Sequence, residues 1–261
     1  MTDLLDLHGK VVVVTGGTMG AGKGIALRFL ELGAHVIVCA RNQPEAPIAV
    51  DGREALFIPA NVRELEDLDR VIEEAIKRHG RLDVLINNAG GSPPADAATA
   101  SPRFSAAIIE LNLIAPLNFS QKANAVMQEQ DDGGCIINIG SVSGLRPSPE
   151  TAAYGAAKAG LLNLTTSLAV EWAPKVRVNA VAAGMILTEK AEVHFGEGKV
   201  REAVEKTAPM GRMALPRDVA DVCLFLASPL ASYVTGASIL LHGGGEWPSF
   251  LWASKGKPNG V

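Results

Sequence analysis

The stretch that decides the fold is VVVVTGGTMGAG, residues 11–22, close to the start of the chain. Four consecutive valines predict a buried strand, because β-branched side chains pack well on a pleated sheet. Gly16, Gly20 and Gly22 follow, and a helical pattern begins near Ile25. A strand that ends in glycines at the mouth of a helix is typical of the first unit of an α/β sheet.

Similar apolar runs recur along the chain, separated by longer segments of helical character. Most runs are apolar at both alternating sets of positions, as strands covered on both faces should be. The alternation predicts an α/β fold, a Rossmann-type doubly wound parallel sheet of about seven strands with helices on both faces. No composition break divides residues 1–261, so a single domain is predicted. The predicted strands are Val11–Thr15, His35–Ala40, Ala55–Ala60, Val84–Asn87, Cys135–Ile139, Val176–Val181 and Ala237–His242, and the predicted helices are Gly22–Leu32, Glu64–His79, Arg103–Glu129, Ala152–Trp172 and Pro216–Ala227.

The composition favours a soluble globular protein. Hydrophobic residues make up 48% of the 261 residues, and the net charge is −4 with no run of Lys or Arg longer than two. Such a balance predicts neither a nucleic-acid partner nor a membrane partner. Cys39, Cys135 and Cys223 form no Cys-x-x-Cys pair and are interpreted as reduced core residues. We find no signal-like N-terminus and no long apolar segment, so we expect a cytoplasmic location. No metal site is expected.

The glycine turn is suited to a pyrophosphate group. Glycines let the backbone approach the ligand, and the helix N-terminus presents unpaired N–H groups and a positive dipole end. The spacing of Gly16, Gly20 and Gly22 is Gly-x-x-x-Gly-x-Gly, which differs from the Gly-x-Gly-x-x-Gly of many dehydrogenases. Its place between the first strand and the first helix favours a dinucleotide-binding turn over an ordinary one.

The end of the second predicted strand indicates which dinucleotide is bound. An acidic residue about 20 positions beyond the glycines would bind the ribose 2′-hydroxyl of NAD. Here the stretch reads VCARN, residues 38–42, with no acid and with Arg41. A guanidinium can pair with a 2′-phosphate through its planar fork. NADP(H) is therefore favoured, and NAD(H) remains the alternative if Arg41 is a solvated loop residue.

A second pattern lies in AYGAAK, residues 153–158. Tyr154 and Lys158 are four residues apart, so on a helix they share one face. A phenol normally titrates near ~10, and a neighbouring cation lowers that pKa by favouring the phenolate. Ser141, thirteen residues upstream of Tyr154, supplies a hydroxyl that could bind a substrate oxygen. These three side chains predict a proton-transfer site.

Further patterns occur in order along nearly the whole chain. They are Thr15–Gly22, Asn87-Asn88-Ala89-Gly90, Asn112, Ser141, Tyr154 with Lys158, Arg177–Val181, Pro216–Ala220 and Tyr233–Gly236. Together they resemble the motifs of the short-chain dehydrogenase/reductase family, in its short single-domain branch. The longer, epimerase-type branch has a different glycine spacing, and the enoyl-reductase branch spaces its Tyr and Lys more widely. Both activities are therefore disfavoured.

The resemblance implies a dinucleotide-binding, catalytic domain that moves a hydride between NADP(H) and a ketone or secondary alcohol. Ser141 would position the substrate oxygen, and Tyr154 would act as general acid/base. Lys158 would bind the nicotinamide ribose and lower the pKa of Tyr154, and Asn112 would hold a water in the proton relay. Asn is a poor helix former, so a local kink is expected at Asn112. The alternatives are an NAD-dependent alcohol dehydrogenase of the same family and a non-catalytic dinucleotide-binding regulator.

The resemblance also implies a set of cofactor contacts, with three departures from the family pattern. Asn61 stands where an Asp is usual beside the adenine, Ala183 replaces the Pro before Gly184, and His242 replaces a common Asp. An amide oxygen still accepts a hydrogen bond, so binding is expected to survive the change at Asn61. The predicted cofactor-binding residues are Gly16, Thr18, Met19, Gly20, Ala21, Gly22, Arg41, Asn61, Val62, Asn88, Ala89, Gly90, Tyr154, Lys158, Gly184, Ile186 and Thr188.

The chain has a C-terminal tail at 243–261, and substrate recognition is expected in the segment after Ser141 and in or beside an insert at 188–213. The lining there is mostly apolar, which favours a hydrophobic carbonyl compound, and Gly196 suggests a mobile lid. The aromatic tail is expected to dock on this subunit or a neighbour, and the resemblance implies a homo-oligomer, either a tetramer or a dimer. The predicted pocket residues are Leu145, Arg146, Ser148, Met185, Leu187, His194 and Phe195.

Overall fold

The structure, a computed structural model, describes Leu5 and residues 7–255. Its strands are β1 (Val11–Thr15), β2 (His35–Ala40), β3 (Ala49–Val50), β4 (Arg53–Glu54), β5 (Leu56–Pro59), β6 (Val84–Asn87), β7 (Gly134–Ser141), β8 (Val176–Ala183) and β9 (Ser238–Leu241). Seven of them form one parallel sheet in the order β5-β2-β1-β6-β7-β8-β9. The chain winds from the central β1 outwards to β5, then crosses back and winds the other way to β9. The predicted doubly wound α/β fold in a single domain is confirmed.

Helices connect the strands and cover both faces of the sheet. They are α1 (Gly20–Glu31), α2 (Leu65–His79), α3 (Pro102–Ile109), α4 (Ala115–Glu129), α5 (Ala152–Trp172), α6 (Ala191–Phe195), α7 (Gly198–Glu205), α8 (Pro216–Ala227) and α9 (Ser249–Lys255). Across the residues that the structure describes, no helix has the length and apolar character needed to cross a membrane. The tail predicted at 243–261 is described as far as α9, and residues 256–261 and the side chain of Trp252 lie outside the described part.

The helix predicted over Arg103–Glu129 is interrupted. A π-helical turn, Glu110–Ile114, joins α3 to α4 and has the buried Asn112 at its centre. The kink expected at Asn112 is confirmed. Such turns insert one residue into a helix and occur frequently at functional sites.

A short hairpin, β3 with β4, was not predicted from the sequence. Its turn is Asp51-Gly52, and both residues adopt positive φ, 50° and 74°. An Asp-Gly pair is a strong signal for a type I′ hairpin turn. The strands contain only two residues each, which is too short for an alternating pattern to be recognised.

The two larger apolar cores lie on opposite faces of the sheet. Val12 and Val14 of β1 join a core that contains residues of α1 and α8. Val11 and Val13 point the other way, into a core with residues of α2, α4 and the end of α5. All four valines are fully buried, which explains why this strand is apolar at every position.

A buried chain of polar side chains ties α5 to the sheet. The Asn87 amide donates to Asn138 Oδ1 at 2.9 Å and to Ser120 Oγ at 3.0 Å. Asn138 in turn donates to Thr165 Oγ1 on α5 at 3.0 Å. These groups are satisfied by one another in a buried environment, where a lost partner is expensive. The chain therefore fixes how α5 sits on the sheet.

Candidate active site

The turn after β1 is held by hydrogen bonds from the loop after β6. Thr15 Oγ1 accepts the N–H groups of Asn88 and Ala89, each at 2.9 Å, and the Asn88 amide donates to Thr15 O at 2.8 Å. The turn is packed so tightly that a Cβ added at Gly22 would lie 2.3 Å from Gly16 O. The glycines are thus required for α1 to begin directly against the turn.

A cavity of about 930 Å³ opens beside this turn, at the carboxyl ends of β1, β2 and β6. Open α/β sheets bind ligands at this edge, where the winding direction reverses. Most of the predicted cofactor residues line it. They are Gly16, Thr18, Met19, Ala21, Gly22, Arg41, Asn61, Val62, Asn88, Ala89 and Gly90.

Several charged residues that the sequence analysis did not single out also line the cavity. Lys23 and Arg63 add cations to the one from Arg41, and Glu45 and Glu189 add carboxylates. Lys23 follows the glycine turn and Arg63 follows Asn61-Val62, so proximity to the motifs was a usable signal for both. Glu189 follows Thr188, so the same signal was available there, whereas Glu45 lies in a segment that carries no motif.

The residues predicted to contact the nicotinamide lie beyond this cavity wall. Gly184 donates its N–H to Leu241 O at 2.8 Å, and a Cβ on it would lie 3.0 Å from His242 Cα. Ile186 pairs with Ala214 in an isolated bridge. Thr188 packs on the glycine turn, since a Cβ at Gly20 would lie 3.3 Å from its Cγ2. Gly20 and Thr188 therefore pack against each other at the glycine turn.

The predicted proton-transfer residues are brought together by β7 and α5. Ser141 ends β7, and its Oγ accepts the N–H of Ser143 at 3.1 Å. Tyr154 lies in the first turn of α5, and Lys158 Nζ is 5.6 Å from the centre of its ring. Lys158 is buried and donates to Ile139 O at 2.7 Å.

Burial dominates the electrostatics of this pair. It lowers the pKa of Lys158 to about 8, because an ammonium is poorly solvated there. Burial raises the pKa of Tyr154, and a hydrogen bond with the Ser141 side chain opposes that rise in part. Burial, rather than the Lys158 ammonium, therefore decides the direction of the Tyr154 pKa shift, and the lowering expected from Lys158 stays a prediction. The phenol keeps its proton at neutral pH and is set up as a donor.

Asn112 binds the loop between the cavity and this pair. Its Oδ1 accepts the Gly91 N–H at 2.8 Å, and its amide donates to Gly91 O at 3.0 Å and Ile108 O at 2.9 Å. A Cβ at Gly90 would lie 2.6 Å from Asn112 Oδ1 and 3.4 Å from Lys158 Nζ. Only the main chain of Gly90 thus lies between the cavity and the Lys158 ammonium. The Asn112 side chain is engaged with the chain itself.

The predicted substrate residues are spread over several places. Arg146 forms an ion pair of 2.7 Å with Glu246 of the tail. Ser148 bonds Thr151 at 2.7 Å, just before α5. Met185 lines a second cavity of about 340 Å³, and His242, Ala208, Met210 and Arg212 are among the other residues that line it. Leu145, four residues after Ser141, is exposed. Leu187 donates its N–H to Ala214 O at 2.8 Å. His194 and Phe195 form a tilted ring pair whose centres are 6.2 Å apart.

Two observations fit the glycine turn to the pyrophosphate of a dinucleotide. The first is the cradle itself, where a Cβ at Gly16 would lie 3.1 Å from Ala89 Cα and would close the approach to the backbone. The second is an anion already bound to the α1 N-terminus, because Glu189 Oε2 accepts the Gly20 N–H at 3.0 Å. Fold and site together define a dinucleotide-binding oxidoreductase.

The chain belongs to the short-chain dehydrogenase/reductase family. A family model described as enoyl-(acyl carrier protein) reductase matches residues 16–246. The 3-oxoacyl-(acyl-carrier-protein) reductase of Thermotoga maritima is 37% identical over 91% of this chain and 98% of its own. A probable 2,4-dienoyl-CoA reductase of Bacillus subtilis is also 37% identical, over 91% and 96%. The aldohexose dehydrogenase of Thermoplasma acidophilum superposes with a TM-score of 0.85 at 32% identity, covering 92% and 94%.

Proposed function

We propose that this protein transfers a hydride between NADP(H) and a ketone or secondary alcohol, with Tyr154 exchanging the proton. One observation carries the proposal. Lys158, on the helix face of Tyr154, and Asn112 both approach Gly90, whose other side borders the cavity beside the glycine turn. A proton donor and a dinucleotide site are therefore adjacent.

The nicotinamide, when bound, supplies the hydride, which no side chain can provide. The chain supplies the rest. Ser141 donates a hydrogen bond to the substrate oxygen and holds it beside Tyr154. The raised pKa of Tyr154 keeps its phenol protonated for donation in the reducing direction. Lys158, an ammonium below its pKa of about 8, stabilises the phenolate that remains.

Arg41 supports NADP(H) as the dinucleotide, because it lines the cavity without an acidic residue beside it at the end of β2. Glu45 lines the same cavity and supports the second candidate, NAD(H), since a carboxylate can accept both ribose hydroxyls. Affinities measured by titration calorimetry separate the two. We expect Arg41→Ala to weaken NADP⁺ binding about 10- to 100-fold, by loss of a bidentate charged pair, and to leave NAD⁺ binding unchanged. Tight NAD⁺ binding that depends on Glu45, with none for NADP⁺, would reverse the assignment.

The substrate class is a hydrophobic carbonyl compound, supported by the exposed apolar side chains of Leu145, after β7, and of Val193, in the insert. The names of the relatives cover a ketone, a dienoyl thioester and a sugar, so the test is a panel. Oxidation of NADPH is followed with β-ketoacyl thioesters, steroids, cyclic ketones, an aldohexose and a 2-enoyl thioester. Turnover confined to the enoyl compound would replace carbonyl reduction with reduction of a carbon–carbon double bond.

The decisive variant is Tyr154→Phe, which removes one oxygen. We expect turnover to fall about 10²- to 10⁴-fold, the usual contribution of a positioned acid/base, with NADP⁺ affinity unchanged. The chain offers a matched control, because Tyr233 is its only other tyrosine and is fully exposed. Tyr233→Phe should keep full activity. Equal turnover in both variants would remove Tyr154 from the mechanism, and binding without turnover across the panel would favour a dinucleotide-binding regulator.

Association and location complete the proposal. Val170 on α5, Tyr233 shortly before β9 and Leu240 on β9 are exposed, and β9 is an edge strand of the sheet, which supports a homo-oligomer, tetramer or dimer. Sedimentation of the purified chain tests it. Cys39, Cys135 and Cys223 are buried and unpaired, which supports the cytoplasm as the location.

A further inference from the structure

The N-terminus of α1 is capped from a distant part of the chain. The residue before the helix, Met19, makes no side-chain hydrogen bond to it. Instead the carboxylate of Glu189, which is 169 residues further along, accepts the Gly20 N–H at 3.0 Å. Thr188 packs on the same glycine. An acidic side chain thus lies on the amide and the positive dipole end that a pyrophosphate would use.

Glu189 belongs to a segment that is fixed at its base. Ile186 and Ala214 pair across the two ends of the insert, and Arg212 forms an ion pair of 2.6 Å with Asp218 at its exit. Between these points the chain forms α6 and α7, with Gly196 between them at a φ of 71°. The contact between Glu189 and Gly20 therefore ties the start of this excursion to the glycine turn.

The excursion carries apolar side chains that are exposed in its present position. Val193 on α6 and Val200 on α7 are both exposed, although α6 buries Ala191. Two exposed valines on a segment with a hinge glycine are consistent with a second position in which they are covered.

We propose that Glu189 is a latch that competes with the dinucleotide's pyrophosphate for the N-terminus of α1. This inference rests on the proposed function. Two anions cannot share one N–H group without strong repulsion, so dinucleotide binding displaces the carboxylate. Displacement frees the start of the insert, residues 188–197, and lets α6 and α7 move toward the substrate side. The latch couples the arrival of the dinucleotide to the position of this segment.

Titration calorimetry on the full chain tests the competition. NADP⁺ contains the pyrophosphate, whereas 2′-AMP keeps the adenosine and 2′-phosphate but lacks it. We expect Glu189→Gln and Glu189→Ala to bind NADP⁺ about 2- to 5-fold more tightly than the unmodified chain, since a charge at an exposed helix N-terminus is worth that much. Affinity for 2′-AMP should not change. Glu197→Gln removes the same charge from the same segment away from the turn, and it should leave both affinities unchanged.

Hydrogen exchange gives a second, activity-independent readout. NADP⁺ should alter exchange across residues 188–197 in the unmodified chain, and 2′-AMP should leave it unchanged. In Glu189→Ala the same amides should exchange faster before any ligand is added. If every variant binds NADP⁺ with the same affinity and 188–197 does not respond, the latch is wrong and the proposed function stands. If no nicotinamide dinucleotide binds to any variant, the proposed function fails and the latch fails with it.

Discussion

The two ends of the parallel sheet each bury a charged group, and they treat it in opposite ways. At the amino ends, Asp83 accepts hydrogen bonds from Val11 N–H at 2.9 Å, Lys10 at 3.0 Å and the Arg81 guanidinium at 2.9 Å. Burial alone would raise the pKa of Asp83, but these donors outweigh it and the pKa is lowered. At the carboxyl ends, the ammonium of Lys158 has the Ile139 carbonyl as its partner, and burial lowers its pKa to about 8.

The same direction of shift has opposite meanings for an acid and a base. A lowered pKa means a stabilised charge on Asp83 and a destabilised charge on Lys158. At the amino ends of the strands, the charge of Asp83 is therefore satisfied by its donors and stabilises the fold. The carboxyl ends keep a charge under-compensated beside the dinucleotide cavity, which is typical of a site that needs reactive groups.

Replacing Lys158 by Met tests this contrast with the largest expected effect. Methionine keeps an unbranched apolar stem and removes the ammonium, so we expect turnover to fall about 10²- to 10⁴-fold as Tyr154 loses the neighbouring cation. The free energy of unfolding at pH 7 should stay equal or rise, because a poorly solvated charge has been removed. Steady-state kinetics and urea denaturation measure the two. A less stable protein with normal turnover would mean that Lys158 belongs to the structure rather than the chemistry.

Replacing Asp83 by Asn should give the reverse pattern. Losing the charged acceptor of Lys10 and Arg81 is expected to lower the free energy of unfolding by about 1.5–3 kcal/mol, with turnover per folded molecule unchanged. Asp132 is the matched control, because it bonds Arg81 in the same cluster but its side chain is 68% exposed. Asp132→Asn should change stability by about 0–1 kcal/mol. Equal losses in the two variants would show that burial does not decide the value of this cluster.

The pH dependence of stability separates the two ends again. Between pH 8 and 10.5 the unfolded chain still binds the Lys158 proton that the folded chain has released, so stability rises with pH across that window. Relative to Lys158→Met, the rise should be about 3 kcal/mol. The Asp83 contribution is present above the ordinary carboxyl pKa of ~3.9 and is lost as the pH falls below it. Urea denaturation from pH 3 to 10.5 measures both, and parallel curves for the chain and its Lys158→Met variant would contradict the Lys158 assignment.

The features that could be predicted from the sequence are those set by residues close to one another in the chain. The valines of β1 indicate a strand covered on both faces, and Tyr154 and Lys158 indicate one helix face, because both patterns are properties of local geometry. The kink at Asn112 was expected from the low helix propensity of Asn at a position that the family resemblance marks. The boundaries of the strands were within a few residues for the same reason.

What could not be predicted depends on distant parts of the chain. The direction of the Tyr154 pKa shift is set by burial, which only the packed structure determines. The contact of Glu189 with Gly20 and the ion pair of Arg146 with Glu246 join residues far apart in sequence, and exposed acids give no pattern that reveals a partner.

The smallest test returns to the amino ends, where His35 and His79 stack with ring centres 4.4 Å apart. Burial, then the charges of His35 and Arg78, lower the pKa of His79. The unfolded imidazole takes up a proton near its ordinary pKa of ~6.5, whereas the folded one resists, so this contribution is present above that pH and lost as the pH falls through it. Between pH 7 and 5, the His79→Gln variant should lose less stability than the unmodified chain does. This difference should be much smaller than the effect of Asp83, because the His79 ring is only half-buried. In urea denaturation, the loss of stability of His35→Gln between pH 7 and 5 should lie between those of His79→Gln and the unmodified chain. This variant removes one cause of the pKa shift of His79, the charge of His35, and leaves the burial of His79. An unchanged slope in His79→Gln would mean that the amino ends owe their acid sensitivity to their carboxylates alone.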